Sequence, residues 1–88
     1  MLTRHVTVRC KNGLHMRIAA QVVKRTHDHD ASVFLQCAGC PRVDASSILQ
    51  LMTTGAAVGA RIGITAQGPD EEAVVESLTE LFEGGAGI

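Results

Sequence analysis

Apolar residues in this chain switch repeatedly between a spacing of two and a spacing of three or four, which dictates a layered fold of strands and helices. Leu2, Val6, Val8 and Cys10 share one parity, while Thr3, His5, Thr7 and Arg9 share the other. Residues 2–10 are therefore predicted to form a half-buried strand, with Arg4 as its one lapse. Met16, Ala19, Ala20 and Val23 then recur at i, i+3, i+4 and i+7, which predicts a helix from about Met16 to Thr26. Residues 32–37 read as a second strand. Ala38-Gly39 reads as a tight turn, and Arg42-Val43 as a short third strand whose Pro41 suits a sheet edge.

Ser46 and Ser47 offer caps to a short apolar helix, Ile48 to Met52. Gly55 and Gly59 bracket a loop, after which Val58, Ala60, Ile62, Ile64 and Ala66 alternate with polar or small residues as a fourth strand. Gly68-Pro69-Asp70-Glu71-Glu72 starts a last helix with acids in its first turn, and Val74, Val75, Leu78, Leu81 and Phe82 form its stripe. Gly84-Gly85 ends it, leaving residues 84–88 as a flexible tail. The order βαββαβα predicts an α+β open-faced sandwich, in which three helices cover one face of a four-stranded antiparallel sheet. The 88 residues make one domain, 45% apolar but with only Phe34 and Phe82 as aromatics, so its core must be aliphatic.

The beginning of the chain lacks the apolar run of a signal peptide, and no segment is suited to span a membrane. Three cysteines, Cys10, Cys37 and Cys40, make an odd count unlike a secreted disulfide framework, so a reducing cytoplasm is expected. The net charge is −1, unevenly spread. Arg4, Arg9, Lys11, Arg17, Lys24 and Arg25 precede any acid, whereas Asp70, Glu71, Glu72, Glu76, Glu80 and Glu83 run without a base. The basic part suits an acidic partner, yet it is too sparse and too poor in aromatics for a nucleic-acid surface. Lys24 and Arg25 also complement the C-terminal end of the first helix.

His15 follows the turn signal Asn12-Gly13 and sits where the chain enters the first helix. Backbone N–H groups at a helix start lack intrahelical partners and favour an anion, and Arg17 adds a planar cationic fork. A neutral imidazole nitrogen is also a nucleophile, so the pattern suits a phosphoryl group carried on His15. The plain alternative is a polar surface histidine near a helix start.

The segment Asn12-Gly13-Leu14-His15-x-Arg17-x-Ala19-Ala20, together with the element order, resembles the HPr family of bacterial phosphotransferase phosphocarriers. The resemblance implies that His15 accepts phosphoryl through Nδ1 from enzyme I, itself charged from phosphoenolpyruvate, and passes it to an enzyme IIA. Arg17 would then steady the phosphoryl group. No cofactor is implied, and the carrier would be a monomer whose chemistry is catalysed by its partners. Ile18 stands where the family has proline, which leaves the turn less preorganised. Ser47, with Ser46 as the alternative, matches a serine that HPr kinase/phosphorylase marks in some members; an ordinary helix cap is the other reading. Ile48, Leu49 and Met52, with Ala20 and Lys24, match the family's docking surface for partners, the alternative being that Leu49 and Met52 face inward.

Two rival readings belong to other classes. One is a regulatory module acting through Ser47 or a nitrogen-related branch. The other is a metal or thiol sensor using Cys37-Ala38-Gly39-Cys40, which lacks a second ligand pair and spans a turn. His27-Asp28-His29-Asp30 reads as a solvated turn in which His27 serves the terminal carbonyls of the first helix.

Overall fold

Each strand carries one apolar edge, so burial is efficient only when all those edges share a face and helices cover it. The computed structural model describes residues 1–9, 16–37, 41–53 and 59–84 and has this arrangement. The elements are β1 (Leu2–Thr7), α1 (Met16–His27), β2 (Ser32–Cys37), β3 (Val43–Asp44), α2 (Ile48–Met52), β4 (Arg61–Gln67) and α3 (Glu71–Glu83). The strands lie in the order β1-β4-β2-β3, every pair antiparallel. Val6, Val33, Leu35, Ile62, Ile64 and Ala66 point to the helical side and are buried. Thr3, His5 and Gly63 fall on the opposite parity and line the uncovered side.

β1 pairs with β4 only as far as Thr7, although the pairing continues loosely through Val8, whose N–H donates to the Ala60 carbonyl at 2.8 Å. Arg9 then turns away and donates to the carbonyl of Phe82 at 2.8 Å. The alternation in the sequence thus runs past the ladder, because Val8 is fully buried although β1 ends at Thr7. Cys10 and Val58 lie outside the described residues, as do the turn at Ala38-Gly39, residue Gly55 and the tail beyond Gly84.

The α1 stripe differs from the expected one. Ile18, Ala19, Val22 and Thr26 are buried, whereas Met16 and Ala20 are exposed and Val23 is only half-buried. The inward face is therefore rotated by part of a turn, since the core needs the β-branched side chains at 18 and 22 more than the small one at 20. Arg25 lies in the last turn of α1 as expected, and its guanidinium also reaches another helix. Its Nη1 donates to the Ser77 carbonyl at 2.9 Å and lies 3.1 Å from the Ser77 hydroxyl, tying α1 to α3. The imidazole at the α1 terminus is His29, not His27, with Nδ1 2.7 Å from the Arg25 carbonyl.

α3 is built as expected, with Val74, Val75, Leu78, Leu81 and Phe82 all buried. At its start Gly68 has φ +146, and a Cβ there would meet the Asp30 carbonyl at 2.7 Å, so only glycine fits. Asp70 does not cap its helix by its side chain; instead its carboxylate accepts from the Asp30 N–H at 2.7 Å. The presumed solvated turn is thereby clamped to the start of α3. Glu71 reaches back to the Gly68 N–H at 3.3 Å, and that bond holds its carboxyl below the usual carboxylate range.

Candidate functional site

α1 starts at Met16, which places His15 directly before the first helical residue. His15 itself, with residues 11–14, lies outside the described residues, and so does its ring geometry. What the structure does describe is the helix that follows it in sequence. Arg17 is exposed as the second residue of α1. The first turn of α1 holds no acid, and its last turn holds Lys24, Arg25 and His27. The last-turn cations agree with a macrodipole whose positive end is at the Met16 end, and Arg17 adds a further positive charge at that end.

Ile18 is fully buried, not a surface residue at the turn. It is the third residue of α1, where a backbone N–H has no intrahelical acceptor, so proline is tolerated there on backbone grounds. The first turn of α1 is anchored to the core by this branched side chain. Ile18→Pro is expected to lower unfolding free energy by about 1 kcal/mol, because lost packing outweighs the stiffening of the unfolded chain. A urea titration measures this; a gain in stability contradicts it.

Beside α1 packs α2, and the two together present an apolar surface. Leu49 is 82% exposed and Met16 67%, while Ile48 and Met52 are both exposed. Only Leu51 of α2 enters the core. The inward alternative for Leu49 and Met52 is therefore excluded: a five-residue helix has one buried position, and Leu51 takes it. Ala20 and Lys24 are exposed on α1. Reading the sequence missed Met16 as part of this surface; its place before the first buried turn was the available signal.

Ser47 and Ser46 play separate parts. Ser47 is the N-cap of α2, and its Oγ accepts from the Gln50 N–H at 3.3 Å. The Gln50 side chain reaches back to accept from the Asp44 N–H at 2.9 Å, a variant of the capping box. Ser46 instead donates through Oγ to the Asp44 carboxylate at 2.7 Å, and its N–H donates to the same oxygen at 2.9 Å. Cys37 is buried, and Cys40 lies outside the described residues. Among the described residues no group of His, Cys, Asp and Glu could hold a metal, and no helix is long and apolar enough to cross a membrane.

Comparison with known proteins adds to this geometry. The family model described as PTS HPr component phosphorylation site matches residues 2–84. The phosphocarrier protein HPr of Vibrio cholerae is 35% identical over 83 residues, covering 94% of this chain and 96% of that one. A crystal structure of HPr-C-His from Thermoanaerobacter tengcongensis superposes with TM-score 0.92 at 28% identity, over 100% of this chain and 98% of that one. The Bacillus subtilis catabolite-repression protein Crh, whose crystal structure is a swapped dimer, is 34% identical with TM-score 0.75 over 97% of each chain.

Proposed function

The chain belongs to the HPr family of phosphotransferase-system phosphocarriers, and from that premise we propose that it takes phosphoryl from enzyme I on His15 and delivers it to an enzyme IIA of a sugar phosphotransferase system. To load the carrier, the Nδ1 lone pair of His15 attacks phosphorus, a P–N bond forms, and the bond between phosphorus and enzyme I breaks. The next acceptor reverses this at His15, which is regenerated. The partners supply the catalysis, and the carrier works as a cytoplasmic monomer.

One observation carries the choice of residue. The chain has four histidines, and only His15 precedes a helix start. His27 ends α1, where the dipole is negative and disfavours phosphate. His29 is engaged through Nδ1 with the Arg25 carbonyl. His5 belongs to the uncovered side of the sheet. At the head of α1 the amide ends and Arg17 stabilise a phosphoryl group by roughly 0.3–2 kcal/mol, enough to favour it without trapping it. The exposed surface of Met16, Ile48, Leu49 and Met52, with Ala20 and Lys24 beside it, supports transient docking of enzyme I and IIA, since flexible methionines repack against more than one partner.

A second reading, regulation through a serine, is favoured by the α2 cap. Phosphate on Ser47 would sit at the amide that already bonds its Oγ, whereas phosphate on Ser46 would crowd the Asp44 carboxylate. Ser47 is therefore the position proposed for HPr kinase/phosphorylase. Reconstitution with enzyme I, phosphoenolpyruvate, an enzyme IIA and sugar-transport membranes tests the first reading. Sugar phosphorylation that depends on this chain supports it; phosphorylation by kinase and ATP alone supports the regulatory role. Ser47→Ala is expected to abolish the kinase product and to cost about 1 kcal/mol of stability as a lost cap. Retention of the kinase product in that variant would move the mark elsewhere.

A further inference from the structure

The side of the sheet that the helices leave bare is not a plain solvated surface. β4 runs through its middle, and Gly63 stands in register with His5 on β1 and Gln36 on β2. With no side chain at Gly63 the sheet has a hollow of about 400 Å³ there, within the size range of small-molecule sites. The His5 ring leans over it, with Nε2 3.4 Å from where a Cβ at Gly63 would stand. Arg61 lines the hollow from two residues away on β4, and Arg42 lines it from beside β3. The Arg42 guanidinium is stacked 4.4 Å from the centre of the Phe34 ring, so a flat cationic platform forms one wall. On the next row the hydroxyls of Thr3 and Thr65 lie 3.3 Å apart and supply further donors. Among the described residues no carboxylate lines the hollow.

We propose that this hollow binds a small organic phosphate, with the phosphoryl group over Gly63 between His5 and Arg61 and the body of the ligand against the Arg42–Phe34 stack. Two guanidiniums and an imidazole that meet around an open backbone floor match a phosphate's charge and its many acceptors. The flat wall rewards a ligand with a planar body, because a guanidinium plane stacks on rings. The site lies on the opposite side of the sheet from the helices that bear the docking surface, so occupancy and phosphoryl transfer are separable.

Titration of the full chain with AMP, followed by backbone amide NMR shifts, tests the proposal. Shifts are expected at β1, β2 and β4 around Gly63, with affinity that weakens as salt rises. Adenosine, which lacks the phosphate, is expected to leave those amides unmoved. Arg61→Gln removes one cation from an exposed position and is expected to weaken AMP binding by about tenfold. Gly63→Val fills the floor while suiting a strand, and it is expected to abolish binding without changing phosphoryl acceptance by His15. Unmoved open-face amides at about 10 mM AMP, adenosine binding as well as AMP, or parental affinity in Arg61→Gln would each overturn the proposal.

Discussion

His15→Ala is expected to reduce phosphoryl acceptance from enzyme I to the level of the assay without this chain. Alanine has no lone pair to attack phosphorus and none to release it again, so nothing of the transfer survives, unlike the partial loss when a stabilising group is removed. Fold and docking are expected to persist in the variant. The buried residues of α1 are Ile18, Ala19, Val22 and Thr26, all downstream of the substitution, and the apolar surface belongs to Met16 and α2. His15→Ala therefore competes with the parent for enzyme I while accepting nothing. Acceptance at the parental rate would assign the chemistry to His5, His27 or His29. Arg17→Ala is expected to slow transfer and not abolish it, because the helix head still supplies amide donors.

The second large effect is on stability. Phe82→Ala removes the largest fully buried side chain of the core. Such truncations cost about 3–5 kcal/mol, and the total stability of a domain of this size stands near the lower end of about 5–15 kcal/mol. Phe82, on α3, also holds the chain where it leaves β1, since its carbonyl accepts the Arg9 N–H. That segment leads directly toward His15. The variant is expected to unfold at a much lower urea concentration and to lose phosphoryl acceptance in parallel with its folded fraction. A change in stability below about 1 kcal/mol would mean that the site is open enough to collapse around the cavity.

Much of this was legible because the strongest patterns are local and unopposed. The stripe of α3 was readable at every position, since helix period, first-turn acids and a terminal glycine all agree. β2 and α2 matched their expected bounds for the same reason. The α1 face was misread at Met16 and Ala20. The expected stripe and the observed inward face overlap in that helix, and only tertiary packing chooses between them. The tie of Arg25 to Ser77 and the clamp of Asp70 onto Asp30 join residues far apart in sequence, so no local pattern announces them. The outward Leu49 was ambiguous on spacing alone, because a helix this short has no period to measure.

The candidate site was legible to a different degree. His15 and Arg17 stood out through their expected place at a helix start; Arg17 lies in the first turn of α1, while His15 is outside the described residues. The separation of Ser47 from Ser46 needed side-chain geometry: both can cap by composition, but one holds Gln50 and the other Asp44. The open face escaped notice for another reason. His5, Arg42 and the Arg61–Gly63 pair come from distant stretches, and only the folding of the sheet brings them together.

The most direct measurement is the chemical form of the phosphate after incubation with enzyme I and phosphoenolpyruvate, read by phosphorus NMR with peptide mass spectrometry. One acid-labile phosphoryl group bonded to Nδ1 of His15 is the expected product. An acid-stable ester on a serine, or a label on any other histidine, would contradict the account.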